Sequence, residues 1–353
     1  MGLNLLPLFL GLLMFSFFVT SALIVPFVDL LYRLKLTKRK QAPKKGKVPL
    51  YDKLHDGKAG TPTGGGILLV GVISLLFAFV FPFSSHMGVY IRSSYQLDQE
   101  LFLIFFTFIA FGILGFLDDY MKMFGKPRAG ERPTGGLAFG LTRRVKWLLQ
   151  WSLALIVGYV LYAKMGISIL HIPFIDRTWE LGVFYIPFAA FIIVFFTNAF
   201  NITDGLDGLA SGLLLIFLLA FAVIAAGSLD TPLSVFIALW IGAIMAFLYF
   251  NVIPARVFLG DTGALAFGAT VALSGLLTGS VITLFVIGGI FVAEVISSFI
   301  QIIGWKYLKR PLFPIAPIHN TLLAIGWEEP KIVMRAWLVG LMLAIFGLWL
   351  ASI

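Results

Sequence analysis

Residues 232–250 read PLSVFIALWIGAIMAFLYF, nineteen positions without one charged side chain. At a rise of 1.5 Å per residue such a helix runs about 28 Å, close to the roughly 30 Å hydrocarbon core of a bilayer. Nine further apolar segments accompany it, near 4–31, 65–83, 100–117, 147–163, 182–200, 206–227, 263–280, 281–303 and 336–353. Of the 353 residues 60% are apolar and 12% charged, whereas a soluble domain carries about 25% charge. The expected fold is all-α: a polytopic membrane protein of about ten spans, read as a single integral membrane domain over residues 1–353.

Charge placement gives the orientation. Of the 26 Lys and Arg residues, 23 fall in alternate loops near 32–64, 118–146, 251–262 and 304–335, with 198–206 on the same side. Arg92, Lys164 and Arg177 fall on the other. The positive-inside rule places the basic loops in the cytoplasm and both termini outside. The first segment does not read as a leader peptide, because it is too long and its basic residues follow it. A net charge of +9 therefore reports topology and attraction to anionic headgroups, not nucleic-acid binding. There is no cysteine, which removes disulfides and thiolate chemistry. Four histidines, His55, His86, His171 and His319, leave little for a multi-histidine zinc site.

The informative residues are polar ones at the cytoplasmic ends of spans, where ionisable groups are costly and so become functional candidates. Asp118 and Asp119 close the third span, the helix end that disfavours carboxylates. A cation is expected beside them, either Lys122 or a bound Mg²⁺. Asp204 and Asp207 open the sixth span, where i, i+3 spacing puts both on one helix face and Thr203 or Asp204 would cap it. Asn198 and Asn201 just upstream make that cluster denser than capping needs. Asp261, between Gly260 and Gly263, starts the eighth span as a cap or as part of an anion site. The run Lys58–Gly66 looks like a phosphate loop but lacks the Gly-Lys-Ser/Thr ending, so a glycine-rich helix start competes. His319 sits in the last cytoplasmic loop, and Glu294 inside the ninth span reads as a partner for a neighbouring helix. Acids, amides and basic loops on one face suit a magnesium-dependent reaction on a phosphorylated substrate. A transporter, the remote alternative, would place its polar site near mid-membrane.

Gly115–Tyr120, Asn198–Ala210 and Phe258–Gly263 resemble the signature segments of the polyprenyl-phosphate N-acetylhexosamine-1-phosphate transferase superfamily (glycosyltransferase 4 family). His55–Thr63, Gly140–Gln150, Pro317–His319 and Gly326–Lys331 with Arg335 and Trp337 are similar to its phospho-N-acetylmuramoyl-pentapeptide transferase branch. Two departures stand out: Asn320-Thr321 follow His319 where that branch carries further histidines, and the 121–139 stretch is longer than usual.

The resemblance implies transfer of phospho-MurNAc-pentapeptide from UDP-MurNAc-pentapeptide to undecaprenyl phosphate, giving lipid I and UMP. The alternative is the same chemistry on UDP-N-acetylglucosamine. It further implies Mg²⁺ on Asp261, with Asp118 or Asp119 sharing the ion or taking the acceptor's proton. Lys58, Lys146 and His319 would contact phosphates. Asn201, Asp204, Asn251 and Phe258 would hold uridine or sugar, and Thr63, Asn198 and Asp207 complete the substrate-binding set. The lipid tail would lie between helices where Gly288-Gly289 weakens span nine. The implied setting is a bacterial plasma membrane, with the bilayer and a second copy of the chain as partners and the active site facing the cytoplasm.

Overall fold

The computed structural model describes residues 5–38, 50, 54, 56–84, 91–124, 140–175, 177–228 and 230–353. His55, His86 and most of the 121–139 stretch lie outside them. The longer helices are α1 (Leu5–Arg33), α2 (Gly65–Ser84), α3 (Leu97–Phe124), α4 (Arg143–Ala163), α5 (Tyr185–Thr203), α6 (Leu209–Gly227), α7 (Thr231–Asn251) and α8 (Gly260–Leu277). They are followed by α9 (Val281–Ile287), α10 (Gly289–Ile303), α11 (Ile318–Ala324) and α12 (Glu329–Ala351). Among the described residues nine helical segments are long and apolar enough to cross a membrane, and Gly65–Phe81 is a shorter apolar one. Every expected span is helical, so the polytopic all-α architecture holds. The expected ninth span is two helices, broken at Gly288, whose N–H still bonds Leu284 O. A short hairpin between α4 and α5 was not foreseen, with β1 (Ile169–Ile172) antiparallel to β2 (Arg177–Glu180).

Capping explains two of the helix starts. Thr142 accepts the Val145 N–H before α4, and Asp230 accepts the Leu233 N–H before α7, each satisfying an otherwise orphaned donor. Burial then sorts the spans. The protein encloses 89% of the span in α8 but only 28% of that in α1, α4 and α12, so α8 is the hub and the others face lipid. It packs on α2, α3 and α5. Exposed Leu75, Phe79, Met342 and Ile345 are what a lipid-facing surface requires, since apolar side chains lose nothing against acyl tails.

Two glycines set close approaches to α8. A Cβ on Gly66 would lie 2.2 Å from the Gly263 nitrogen, joining α2 to α8 backbone to backbone. A Cβ on Gly115 would lie 2.2 Å from Asp261 O, bringing α3 against the start of α8. Small residues permit such contact between membrane helices. This second contact positions the site.

Candidate active site

Asp118 and Asp119 do not lie at a helix end. Helix α3 continues to Phe124, which places them more than a turn inside, where the terminal partial charge has faded. What stabilises Asp119 is another helix. Its carboxylate accepts the N–H of Asp261 (3.0 Å), the N–H of Thr262 (2.8 Å) and the Thr262 hydroxyl (2.8 Å). Asp119 therefore caps α8 from outside. Asp261 does not cap its own helix: the N-cap position is Leu259, without a side-chain bond. The four exposed N–H groups at a helix start attract any nearby carboxylate, and Gly115 brings α3 close enough to supply one.

That arrangement turns the Asp261 side chain towards Asp118. Lys122 Nζ lies 2.9 Å from both Asp118 Oδ2 and Asp261 Oδ2. Lys146 Nζ reaches the same pair, 3.0 Å from Asp118 and in a short contact with Asp261. Asp118 Oδ1 also accepts the Leu141 N–H at 2.8 Å. The cation expected beside Asp118 is thus present as Lys122, and Lys146 doubles it. Asp118 is 2% exposed, so this group forms a compact quartet of two acids and two ammoniums.

A second charged cluster lies beside it. Lys58 Nζ donates to Asp207 Oδ1 (2.7 Å) and to Glu329 Oε1. Asp207 Oδ2 accepts the Ala255 N–H at 2.8 Å, while the Asp207 N–H donates to Glu329 at 2.7 Å. Residues 204–208 form turns between α5 and α6. The expectation that Asp204 and Asp207 share one face at the start of a helix is therefore wrong. Asp204 follows the C-terminus of α5, and α6 begins only after Gly208, whose φ of 76° is left-handed and interrupts the helix. Thr203 bonds back to Ala199 O instead of capping.

Other expected residues divide. Thr63 pairs in parallel with Phe258, and Lys38 Nζ stands 5.1 Å from the Phe258 ring centroid. The glycine-rich run commits its last backbone donors within the protein. The N–H groups of Gly64 and Gly65 both donate to Phe258 O, and that of Gly66 donates to Leu259 O. Asn198 sits one turn further into the membrane, donating to Gln150 Oε1 (2.9 Å) and Val194 O (2.7 Å), and so joins α5 to α4. Asn201 is half-buried in the last turn of α5. Asn251 is buried, accepting from Ser211 and donating to Val257 O at 2.9 Å. His319 is 2% exposed, with Nδ1 3.1 Å from Glu294 Oε2. The other edge of its ring faces Gly205, where a Cβ would meet Nε2 at 2.4 Å. Glu294 thus holds His319 from α10. Sequence reasoning did not single out Glu329 as a site residue. Its only signal was membership of the Gly326–Lys331 segment, because the register of α12 against Lys58 is tertiary.

Among the described residues no group of three or more acids or histidines is arranged to hold a metal ion by itself. Mg²⁺ does not need one, since it keeps several waters and takes one or two carboxylates plus substrate phosphates. Asp118 and Asp261, already sharing cations through Oδ2, are a hard-oxygen pair that fits.

Asp204 carries a pH signature. Surrounding protein pushes its carboxyl up to about 7, and nearby Asp261 adds to this while Lys38 and Lys58 pull it back. A raised folded-state value means the native protein binds this proton more tightly than the unfolded chain does. Stability is therefore lost as pH rises from about 4 through 7. Asp204→Asn should gain thermal stability over the parent above pH 7 and show no gain near pH 4, measured by melting at each pH. A pH-independent difference would contradict this assignment.

Comparison with known proteins bears on the chain as a whole. The family model described as Glycosyl transferase family 4 matches residues 101–279, which hold Asp118, Asp119, Lys146, Asp204, Asp207 and Asp261. A phospho-N-acetylmuramoyl-pentapeptide-transferase of Geobacillus sp. (strain WCH70) is 37% identical, covering 95% of each chain. The protein of that name from Bacillus subtilis (strain 168) is 34% identical over 94% of this chain and 95% of its own. The one from Caldanaerobacter subterraneus subsp. tengcongensis is 38% identical over 82% and 84%. On the matched helices, the site they assemble and identity at this level over nearly the full length, the chain belongs to glycosyl transferase family 4.

Proposed function

We propose that this membrane enzyme transfers phospho-MurNAc-pentapeptide from UDP-MurNAc-pentapeptide to undecaprenyl phosphate, releasing UMP and forming lipid I. In this reading it acts at the cytoplasmic face of a bacterial plasma membrane. The observation that carries the reading is the quartet of Asp118, Asp261, Lys122 and Lys146, drawn together from the apolar helices α3, α4 and α8. Such a quartet suits a reaction between two anions, one water-soluble and one lipid-borne. The matching relatives carry the same activity in their names.

The acceptor phosphate must approach a pyrophosphate, and like charges resist that approach. Lys122 and Lys146 supply positive charge at the point of contact, and phosphoryl transfer asks mainly for such positioning and neutralisation. Asp118 and Asp261 would hold Mg²⁺, which, when bound, neutralises pyrophosphate oxygens and steadies the leaving UMP. Asp119, with both oxygens engaged by α8, acts as a positioning residue that fixes where Asp261 stands. His319, held by Glu294, presents the rest of its ring to the 204–208 turn, where it would meet substrate beside Asp204. Lys58 is committed to Asp207 and Glu329, so in this reading it shapes the nucleotide side more than it touches phosphate.

The test is UMP release by the purified protein with undecaprenyl phosphate and Mg²⁺, given UDP-MurNAc-pentapeptide or UDP-N-acetylglucosamine. Lipid I should form from the muramoyl substrate alone. Turnover with UDP-N-acetylglucosamine alone would instead connect Asn320 and Thr321 with a different sugar. Absence of UMP with both substrates would remove the transferase reading.

A further inference from the structure

Between α6 and α12 lies a groove of about 240 Å³, lined by Ile216, Met334, Trp337, Leu338 and Leu341. Met334 and Leu338 are each 63% exposed, and on a spanning helix that exposure is to lipid. Helical spacing aligns Lys331, Arg335 and Leu338 on one stripe, with Met334 and Leu341 beside it. From Lys331 to Leu341 the helix rises about 15 Å, about half the hydrocarbon thickness. The stripe is therefore cationic at the membrane boundary and apolar below it.

The two cations are unusually placed. Lys331 Nζ lies 5.0 Å and the Arg335 guanidinium carbon 4.6 Å from the centroid of one ring, Trp327. Among the described residues neither makes a salt bridge to a carboxylate. Lys331 stands in the first turn of α12, the end whose partial charge favours anions, and Arg335 one turn further in. Two like charges thus share one indole near a helix start.

We propose that this face binds an anionic phospholipid, its phosphodiester between Lys331 and Arg335 and one acyl chain in the groove. The groove opens sideways onto the lipid-facing surface, so the chain need not leave the bilayer. Charge and depth match a headgroup at the interface with its tail beneath. The seat adjoins the charged clusters. Trp337, which lines the groove, donates its Nε1–H to Gly208 O at 3.2 Å, and Glu329 on the first turn of α12 holds Lys58. A lipid seated here would stiffen the 204–208 turn from the membrane side. The inference does not rest on the reaction proposed above.

The experiment titrates the purified full-length protein with phosphatidylglycerol or phosphatidylcholine and counts bound lipids by native mass spectrometry. The parent should retain phosphatidylglycerol roughly thirtyfold more tightly, the scale expected of two interfacial cations. Lys331→Ala with Arg335→Ala should abolish that preference, while Lys331→Arg with Arg335→Lys should keep it. Leu338→Trp, which fills the groove and leaves both cations, should weaken phosphatidylglycerol by a similar factor. Circular dichroism and melting establish that each variant is folded. Equal retention of both lipids by the parent would overturn the proposal, as would an unchanged preference in the double alanine variant. Unaltered binding by Leu338→Trp would remove the acyl-chain seat. Displacement of phosphatidylglycerol by undecaprenyl phosphate, one for one, would give the groove to that lipid instead.

Discussion

Asp261→Asn lowers kcat for UMP release at least a hundredfold, while the protein keeps its fold. The substitution preserves side-chain size and removes the charge that Lys122 and Lys146 share with Asp118. Losing one pre-organised electrostatic element typically costs about 2.7–4 kcal/mol at the transition state, or roughly 10²–10³ in rate. The tie between α3 and α8 survives because it uses the backbone N–H of Asp261, not its carboxylate, and the stability cost is limited because Lys122 and Lys146 both keep Asp118. Steady-state UMP release at saturating Mg²⁺, with melting as a control for folding, reads both quantities. Turnover within threefold of the parent would show that Asp261 is a structural acid and that the chemistry lies elsewhere.

The second large effect is on stability. Lys58→Met should destabilise the protein by about 3 kcal/mol, because breaking a buried ion pair strands its partners. The side chains of Lys58, Asp207 and Glu329 are 11%, 7% and 16% exposed, so water does little to compensate. Asp207 keeps the Ala255 N–H and Glu329 keeps the Asp207 N–H, which holds the loss to the lower end of the range. Adding Glu329→Gln to the variant should restore about 1 kcal/mol or more, since one stranded charge is removed; contacting pairs couple by that order. Denaturant titration of the four proteins in one detergent gives the cycle. A loss below about 1 kcal/mol for Lys58→Met would mean the cluster is solvated and carries no structural load.

Part of the site was legible as a list and illegible as an arrangement. Asp118, Asp261, Lys146 and His319 were identified from residue type, spacing and resemblance, and the structure brings Asp118, Asp261 and Lys146 into direct contact. Asp119 was grouped with Asp118 because they are neighbours in sequence, yet their partners are on opposite sides: ammoniums for one, the N-terminus of α8 for the other. Nothing local distinguishes them. Asn198 and Asn251 read as ligand-binding amides, but both make helix-to-helix or helix-to-loop hydrogen bonds. Asn198 lies a turn deeper than Asn201, and an amide even half-buried within a span must find a partner there.

The sequence by itself determined that the chain is a membrane protein and which segments are its apolar spans, though not where each helix starts and stops. A bilayer imposes a length and an apolar composition on each span separately, so every span is readable without its neighbours. It also determined which loops hold the charges. Only the tertiary structure decided that α8 is the hub, that α3 caps it through Asp119, and that Lys58 links the segment before α2 to α12. These depend on backbones approaching at Gly66 and Gly115, and hence on crossing angles and helix register. A glycine in a hydrophobic span marks that a close approach is possible, but not which helix will make it. Helix order within the membrane is set by packing among many nearly equivalent apolar faces, and that information lies in pairs of segments rather than in any one of them.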